Sequence, residues 1–176
     1  SGKLMELISA QNTGLDCREM EIPTLFQEIS LSVSPQLARR GLRFLCTGAK
    51  GTLWADQELV KSLLYNLIDN AAKASKEGDE VQLSCTRGEK GVVFSVSDWG
   101  IGMDEKTLRR ASEPFYMADK SRSRKNGGAG LGLALCRKIA SLHSVRLEIK
   151  SPCAPGKNTG GTEVTLHLPV YKTFTI

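Results

Sequence analysis

Residues 66–75 read NLIDNAAKAS and lie within a longer segment, DQELVKSLLYNLIDNAAKAS, whose apolar residues recur at helical spacing. Two asparagines, Asn66 and Asn70, occur four residues apart, and Lys73 follows three residues later. This spacing puts the three side chains on one face of the predicted helix. Asparagine is a poor helix former because its amide competes with the backbone for hydrogen bonds. The pair therefore needs a reason beyond helix stability.

An amide oxygen is a neutral, hard ligand that suits Mg²⁺ in a site where phosphates supply the negative charge. The alternative is that the two asparagines are packing or capping residues, and this segment alone does not decide between the two interpretations.

The composition is that of a soluble globular domain. The chain has 176 residues, of which 40% are hydrophobic and 24% charged, and its net charge is +5. Its apolar runs are too short to span a bilayer, and no signal-peptide pattern opens it. Five cysteines without a C-x-x-C pair favour a reducing compartment. The positive charge suits nucleic acid, phosphate ligands and solubility equally well.

Strand and helix patterns are mixed along the chain, and consecutive strands suggest hairpins. Strands are predicted in 16–23, 42–48, 52–55, 80–88, 91–98, 145–151 and 162–170. Helices are predicted in 4–12, 24–41, 56–76, 104–112 and 131–144. The pattern predicts an α+β fold of two layers, a mixed and mostly antiparallel sheet with helices on one face.

Three residues are expected to shape the helix ends. Thr24 is predicted to cap the helix of 24–41, and Pro35 to kink or break it. Asp56 is predicted to cap the helix that carries the asparagines.

A second candidate site segment is SDWGIGM, residues 97–103. Asp98 ends a predicted strand, and its carboxylate can accept a hydrogen bond from an exocyclic amine such as that of adenine. Gly100 and Gly102 leave bare backbone for a flat ring. A tight turn would explain the same residues equally well.

A third segment, KNGGAGLGLAL (125–135), places glycines at the start of a predicted helix, where backbone N–H groups bind phosphate. It is neither G-x-G-x-x-G nor a P-loop, and a flexible linker is the alternative. The polar and basic residues 112–130 before the helix predict a lid rather than a neutral connector. Guanidinium groups there would neutralise phosphoryl charge, unless the segment is a solvated charged loop.

In order, NLIDNAAKAS, DWGIGM, EPFYMADKSRSR and GGAGLGLAL resemble the N, G1, F and G2 boxes of the sensor histidine kinase catalytic domain. GGTEVTLHLP resembles the last box. The resemblance covers roughly residues 17–170. It implies the Bergerat ATP-binding fold, whose superfamily includes gyrase, Hsp90 and MutL-type ATPases, and it implies ATP and Mg²⁺ as cofactors.

The resemblance also implies roles for individual residues. Asn70 would ligate Mg²⁺, whereas Asn66, Lys73 and Arg122 would act in catalysis. The implied nucleotide site comprises Asn66, Asn70, Lys73, Asp98, Gly100, Ile101, Gly102, Tyr116, Gly128, Gly130, Leu131, Gly132, Leu133 and Thr162.

Phe115, with Tyr116, would anchor the lid. The chain departs from the family pattern at Ala74, where an aromatic residue is common, and at Met117, where an arginine is common. The second departure leaves Arg122 or Arg124 to neutralise the γ-phosphate.

The reaction type is expected to be phosphoryl transfer, because superfamily ATPases have a glutamate base at the Asn66 position and an amide cannot take a proton at neutral pH. Neither His143 nor His167 lies in a phosphoacceptor motif, so both are predicted to be structural or incidental. Residues 1–14 are predicted to be the end of a dimerisation helix, and 15–176 the catalytic domain. An ATPase clamp and a degenerate, non-catalytic binding module remain alternatives.

The implied partners are a phosphoacceptor and dimerisation domain and a response regulator. The parent protein would be a membrane-anchored homodimer. This segment would be cytoplasmic, with no membrane or nucleic-acid contact of its own.

Overall fold

The computed structural model describes residues 14–88, 90–103, 105–111, 132–151 and 161–170. Within these ranges the strands are β1 (Arg18–Glu21), β2 (Arg43–Thr47), β3 (Thr52–Ala55), β4 (Glu80–Arg87), β5 (Val92–Asp98), β6 (Leu147–Lys150) and β7 (Thr162–Leu168). The helices are α1 (Ile22–Arg39), α2 (Gln57–Ala74), α3 (Glu105–Arg110) and α4 (Gly132–Leu142).

Five strands form the main sheet, in the order β2-β4-β5-β7-β6, and β1 pairs with β3 in a separate two-stranded sheet. Only the β2–β4 pair is parallel among the pairings of the described strands. The predicted α+β fold with a mixed, mostly antiparallel sheet is confirmed.

The core lies between the main sheet and the helices. On β5 the buried residues Val92, Phe94 and Val96 alternate with half-buried neighbours, as expected for a strand with one face toward a core. The ring of Phe94 lies 5.2 Å from that of Phe26 on α1, between centroids. Since β5 is the central strand of the sheet, its carboxyl end is held by both the core and the two neighbouring strands.

The expected cap of α1 is wrong, and so is the break that Pro35 was expected to cause if it did not kink the helix. The helix begins at Ile22, with Pro23 in its first turn, so Thr24 lies inside it rather than at the N-cap. The helix is not broken at Pro35 but continues to Arg39. Pro35 lies on the exposed face, where water can satisfy the carbonyl that its missing N–H leaves without an intrahelical donor.

The predicted cap of α2 is confirmed. Asp56 accepts a hydrogen bond at Oδ1 from the backbone N–H of Leu59 (3.2 Å) and at Oδ2 from that of Asp16 (3.0 Å). Its own N–H donates to Nε2 of His143 (3.0 Å), whose Nδ1 lies 2.8 Å from the carbonyl of Ile139. Nε2 must therefore be the acceptor and Nδ1 the donor, which is the neutral imidazole. Asp56 joins the start of α2 to the end of α4 and to the N-terminal segment.

None of the helices in the described ranges is long and apolar enough to cross a membrane.

We expect Asp56→Ala to lower the free energy of unfolding by about 1–2 kcal/mol, because the variant loses both side-chain bonds at the start of α2. Urea denaturation followed by circular dichroism measures the change. Asp16→Ala is the matched control: it keeps the backbone donor to Asp56 and loses only an exposed ion pair with Arg18. An equal loss in the two variants would contradict the capping role.

Candidate functional site

The polar face of α2 runs from the core to the surface. Asn66 is 6% exposed, and its Nδ2 donates to the carbonyl of Ser62 at 2.7 Å. One turn later Asn70 is exposed, and Lys73 is half-buried. Because the bond to Ser62 satisfies a donor of the buried amide, the core can accommodate Asn66. Because the three side chains are spaced at i, i+4 and i+7 within α2, they lie on one side of the helix, and their exposure increases after Asn66.

Lys73 is paired with a residue that the sequence analysis did not single out. Its Nζ lies 2.9 Å from Oδ2 of Asp69, four residues earlier on α2. The i,i+4 spacing of an acid and a lysine is the signal that could have found the pair. A phosphate group that binds Lys73 would have to compete with this carboxylate.

Helix α4 packs against α2 in the antiparallel sense. His143 contacts Asp56 at one end, and Sγ of Cys136 lies 3.6 Å from the carbonyl of Leu63 further along. From the first contact to the second, the position advances by seven residues along α2 and goes back by seven residues along α4. The two helices are therefore antiparallel with matching spacing. Gly132, the first residue of α4, is thereby level with about Leu67, between the two asparagines. The start of α4 is thus at the same level along α2 as the predicted phosphate-side residues.

Asp98 ends β5 as predicted, and its side chain is buried, with the residue 4% exposed. It accepts hydrogen bonds from the backbone N–H groups of Gly100 (2.9 Å, to Oδ1) and Thr162. Burial raises the pKa of the carboxyl from 3.8 to about 6; the two N–H bonds oppose this rise, and the charge of Asp79 adds slightly to it. The group is mostly ionised at pH 7, although the protein environment stabilises its neutral form.

The loop of residues 99–103 follows Asp98 in the chain and packs against the end of α2. The N–H of Ile101 donates to the carbonyl of Ala74 (3.3 Å), and a Cβ on Gly100 would collide with that same carbonyl. Gly102 has a φ of +68°, which favours glycine. Gly100 is thus required for packing against α2, whatever it does for a ligand. Ile101 is 55% exposed, an unusual exposure for a large apolar side chain in this protein.

Among the described members of the predicted site, Asp98 bonds the N–H of Gly100 and is paired with Thr162, and Gly100 and Ile101 contact Ala74 at the end of α2. Thr162 begins β7 directly opposite Asp98, and Leu133 packs against the core in the first turn of α4. Part of the prediction lies outside the described residues, namely the lid of 112–130, residues 1–13, Phe115, Tyr116, Met117, Arg122, Arg124, Gly128, Gly130 and Leu131.

The two histidines differ in their surroundings. His143 is used in the Asp56 contact, and His167 lies in β7 with its Nε2 buried and without a hydrogen-bond partner among the described residues. Neither position offers an exposed imidazole beside the Asp98 loop or the polar face of α2.

No group of three or more His, Cys, Asp or Glu side chains that could hold a metal occurs within the described ranges. The exposed amide of Asn70 nevertheless fits a Mg²⁺ ion whose remaining ligands come from phosphates and water.

Residues 55–172 match the family described as histidine kinase-, DNA gyrase B-, and HSP90-like ATPase. The match spans more than half of the chain, which therefore belongs to this family.

Among curated proteins, the chain is similar to the sensor protein SrrB of Staphylococcus aureus, with 28% identity over 150 residues. The match covers 85% of this chain and 26% of SrrB, so the chain spans about a quarter of the length of the curated relatives it matches.

Solved histidine kinases share the fold. The catalytic domain of ThkA has a TM-score of 0.74 and 22% identity, covering 88% of this chain and 96% of that domain. Full-length ShkA in complex with AMPPNP has a TM-score of 0.79 and 22% identity, covering 99% of this chain and 36% of ShkA. ThkA in complex with the response regulator TrrA has a TM-score of 0.76 and 20% identity, and the match covers 97% of this chain and 47% of that chain. The predicted ATP-binding family and fold are confirmed, and the matches to SrrB and ThkA agree with the resemblance to sensor histidine kinases.

The raised pKa of Asp98 predicts a definite pH dependence of stability. A folded-state pKa above the unfolded value favours folding at low pH, and this contribution is lost as pH rises through about 6. Measured relative to Asp98→Asn, which cannot titrate, the wild type should lose about 1.4 kcal/mol of unfolding free energy between pH 5 and pH 8. Urea denaturation of both proteins at the two pH values measures this. A difference that does not change with pH would contradict the buried ionisation.

Proposed function

We propose that this chain is the catalytic domain of a sensor histidine kinase and transfers the γ-phosphoryl of ATP to a histidine on a separate domain. One observation carries the proposal: a buried carboxylate at the end of the central strand adjoins, through Gly100 and Ala74, the helix face that carries two amides and a lysine. The carboxylate would bind a purine ring at one end of this arrangement. The amides and the lysine would bind a metal–phosphate group at the other end.

Asp98 would hold the adenine amino group, because its carboxylate is an acceptor in a dry environment where a hydrogen bond is stronger than in water. Ile101 would lie against the ring, which explains why a large apolar side chain remains exposed there. Gly102 would let the backbone approach the ring. Thr162, opposite Asp98, supports the carboxylate through its N–H.

On the phosphate side, Asn70 would ligate Mg²⁺, and the ion would neutralise phosphate charge and orient the phosphoryl group. Lys73 would exchange Asp69 for a phosphate oxygen. Gly132 and Leu133 would contribute to the phosphate cradle, together with Gly128, Gly130 and Leu131. Tyr116 would belong to the lid, and Arg122 would neutralise charge on the γ-phosphoryl in the transition state.

Asn66 supports transfer rather than hydrolysis. Its amide has no basic atom at neutral pH, and its NH₂ group already donates to Ser62. A water molecule beside the γ-phosphate would therefore lack a base at this position, which favours a nucleophile supplied from outside. Family membership alone does not make this distinction, because the family also includes gyrase- and HSP90-like ATPases.

The phosphoryl acceptor would be a histidine of a dimerisation domain to which residues 1–14 lead, since neither histidine of this chain is placed for the role. A response regulator would then take the phosphoryl group, a proposal supported by the solved ThkA–TrrA complex. The whole protein would be a membrane-anchored homodimer whose catalytic domain is cytoplasmic, with no nucleic-acid partner.

Saturating Mg²⁺-ATP should stabilise the chain by about 2.7 kcal/mol at a hundredfold excess over Kd. Asp98→Ala should abolish this gain, because the variant loses the adenine contact but keeps the residues on α2. Thermal and urea unfolding with and without ATP measure it. Glu163→Gln, which changes a carboxylate on the opposite face of the neighbouring strand, is the control and should keep the full gain. Stabilisation that survives in Asp98→Ala would overturn the adenine assignment.

Incubated with γ-labelled ATP, the chain should retain no acid-labile label and release phosphate only slowly. Filter binding after alkaline and acid washes measures the retained label. A coupled phosphate assay measures the rate of phosphate release. Retained label on the protein would show that one of its own residues accepts the phosphoryl group. Rapid steady-state phosphate release would favour the ATPase alternative. Nucleic-acid binding without any ATP-induced stabilisation would favour a degenerate binding module.

A further inference from the structure

Among the described residues, hydrogen bonds hold the loop of residues 99–103 at both of its halves. Gly100 donates to Asp98 Oδ1 (2.9 Å) and accepts from the N–H of Gly161 (2.9 Å). Ile101 donates to the carbonyl of Ala74 (3.3 Å). These bonds fix the first half of the loop to β5, β7 and α2.

Another bond fixes the second half, and its acceptor is a side chain. The N–H of Met103 donates to Oγ of Ser151 at 2.7 Å. Ser151 lies just after β6, forty-eight residues further along the chain, and its hydroxyl also donates to the carbonyl of Gly161 at 2.7 Å. The hydroxyl of Thr162 lies 3.2 Å from the same oxygen.

The proton assignments at this oxygen are consistent with each other. A serine hydroxyl donates once and can accept twice. Since Ser151 donates to Gly161, it accepts from both Met103 and Thr162. An alanine would leave the N–H of Met103 without this acceptor, whereas a threonine would retain the hydroxyl.

We propose that Ser151 is a positioning residue of the nucleotide site, which holds the second half of the 99–103 loop against β7 and so sets the distance between the loop and Asp98. The inference rests on the proposed function, because the loop is taken to flank the adenine ring. Ser151 itself touches no reacting atom. It acts through Met103 on Ile101 and Gly102.

The connection to Asp98 is short. Thr162 is paired with Asp98 across β5 and β7 and donates its N–H to that carboxylate. The same residue shares its hydroxyl with Ser151. A shift of Ser151 therefore moves the loop and the strand end together, whereas the phosphate-side residues Asn70 and Lys73 lie on α2, which contacts the loop at Ala74.

The test compares ATP binding by the whole chain and by three variants, using isothermal titration calorimetry with Mg²⁺-ATP. Ser151→Ala should weaken binding by about tenfold, which is the upper range for the loss of one hydrogen bond. Ser151→Thr should restore Kd to within about twofold of the wild type, because the hydroxyl is kept. Ser97→Ala is the matched control: it removes a serine hydroxyl of β5 that bonds Glu163 on the far sheet face, and Kd should not change.

A second measurement requires no nucleotide. Amide hydrogen exchange at Met103, followed by NMR, should be faster in Ser151→Ala than in the wild type and in Ser97→Ala, and Ser151→Thr should restore the slow rate. If Ser151→Ala fails to fold, Ser151→Cys takes its place, since a thiol keeps the shape but forms a weaker hydrogen bond.

Unchanged ATP affinity in Ser151→Ala, or a threonine variant that is as weak as alanine, would overturn the proposal while leaving the proposed function intact. Failure of the wild type to bind ATP would overturn both. Slow Met103 exchange in Ser151→Ala would show that the hydroxyl does not hold the loop.

Discussion

The carboxylate of Asp98 is buried at the end of the central strand of the sheet, and the arrangement of the site depends on keeping it there. Taking a carboxylate out of water is costly unless hydrogen bonds compensate, and here the N–H groups of Gly100 and Thr162 do so in part. The remaining cost is visible in the raised pKa of the group. A polar ligand that donates to this carboxylate would lower that cost, which explains how a residue that is unfavourable for folding can be favourable for binding.

The second constraint is the position of α2 relative to this carboxylate. The helix is fixed at its start by Asp56 and His143, and at its end by the contact of Ala74 with Gly100 and Ile101. The position and orientation of its polar face are therefore fixed at both ends of the helix. A helix that could slide or rotate would not keep an amide at Asn70 and an amine at Lys73 at a constant distance from Asp98. The amides supply no base, which is why we propose phosphoryl transfer rather than hydrolysis.

The sequence predicted the elements whose signals are local. The helical period around Asn66, the cap at Asp56 and the alternation that ends at Asp98 all depend on residues within one or two turns, and the structure agrees with each. Local reasoning was wrong for α1, where Thr24 is a good cap by type but Pro23 suits the first turn and the helix starts earlier. The helix is also not broken at Pro35, because an exposed proline leaves a carbonyl that water can satisfy.

By itself, the sequence determined the fold class, the family and the residue types that the site needs, since periodicity, capping and ordered motifs are written in neighbouring positions. Only the tertiary structure decided which distant residues meet. The roles of His143 at the start of α2 and of Ser151 beneath the 99–103 loop have no signature in the residues next to them. Each depends on one side chain reaching a backbone group that lies dozens of residues away, and such a contact exists only after helices and strands have packed.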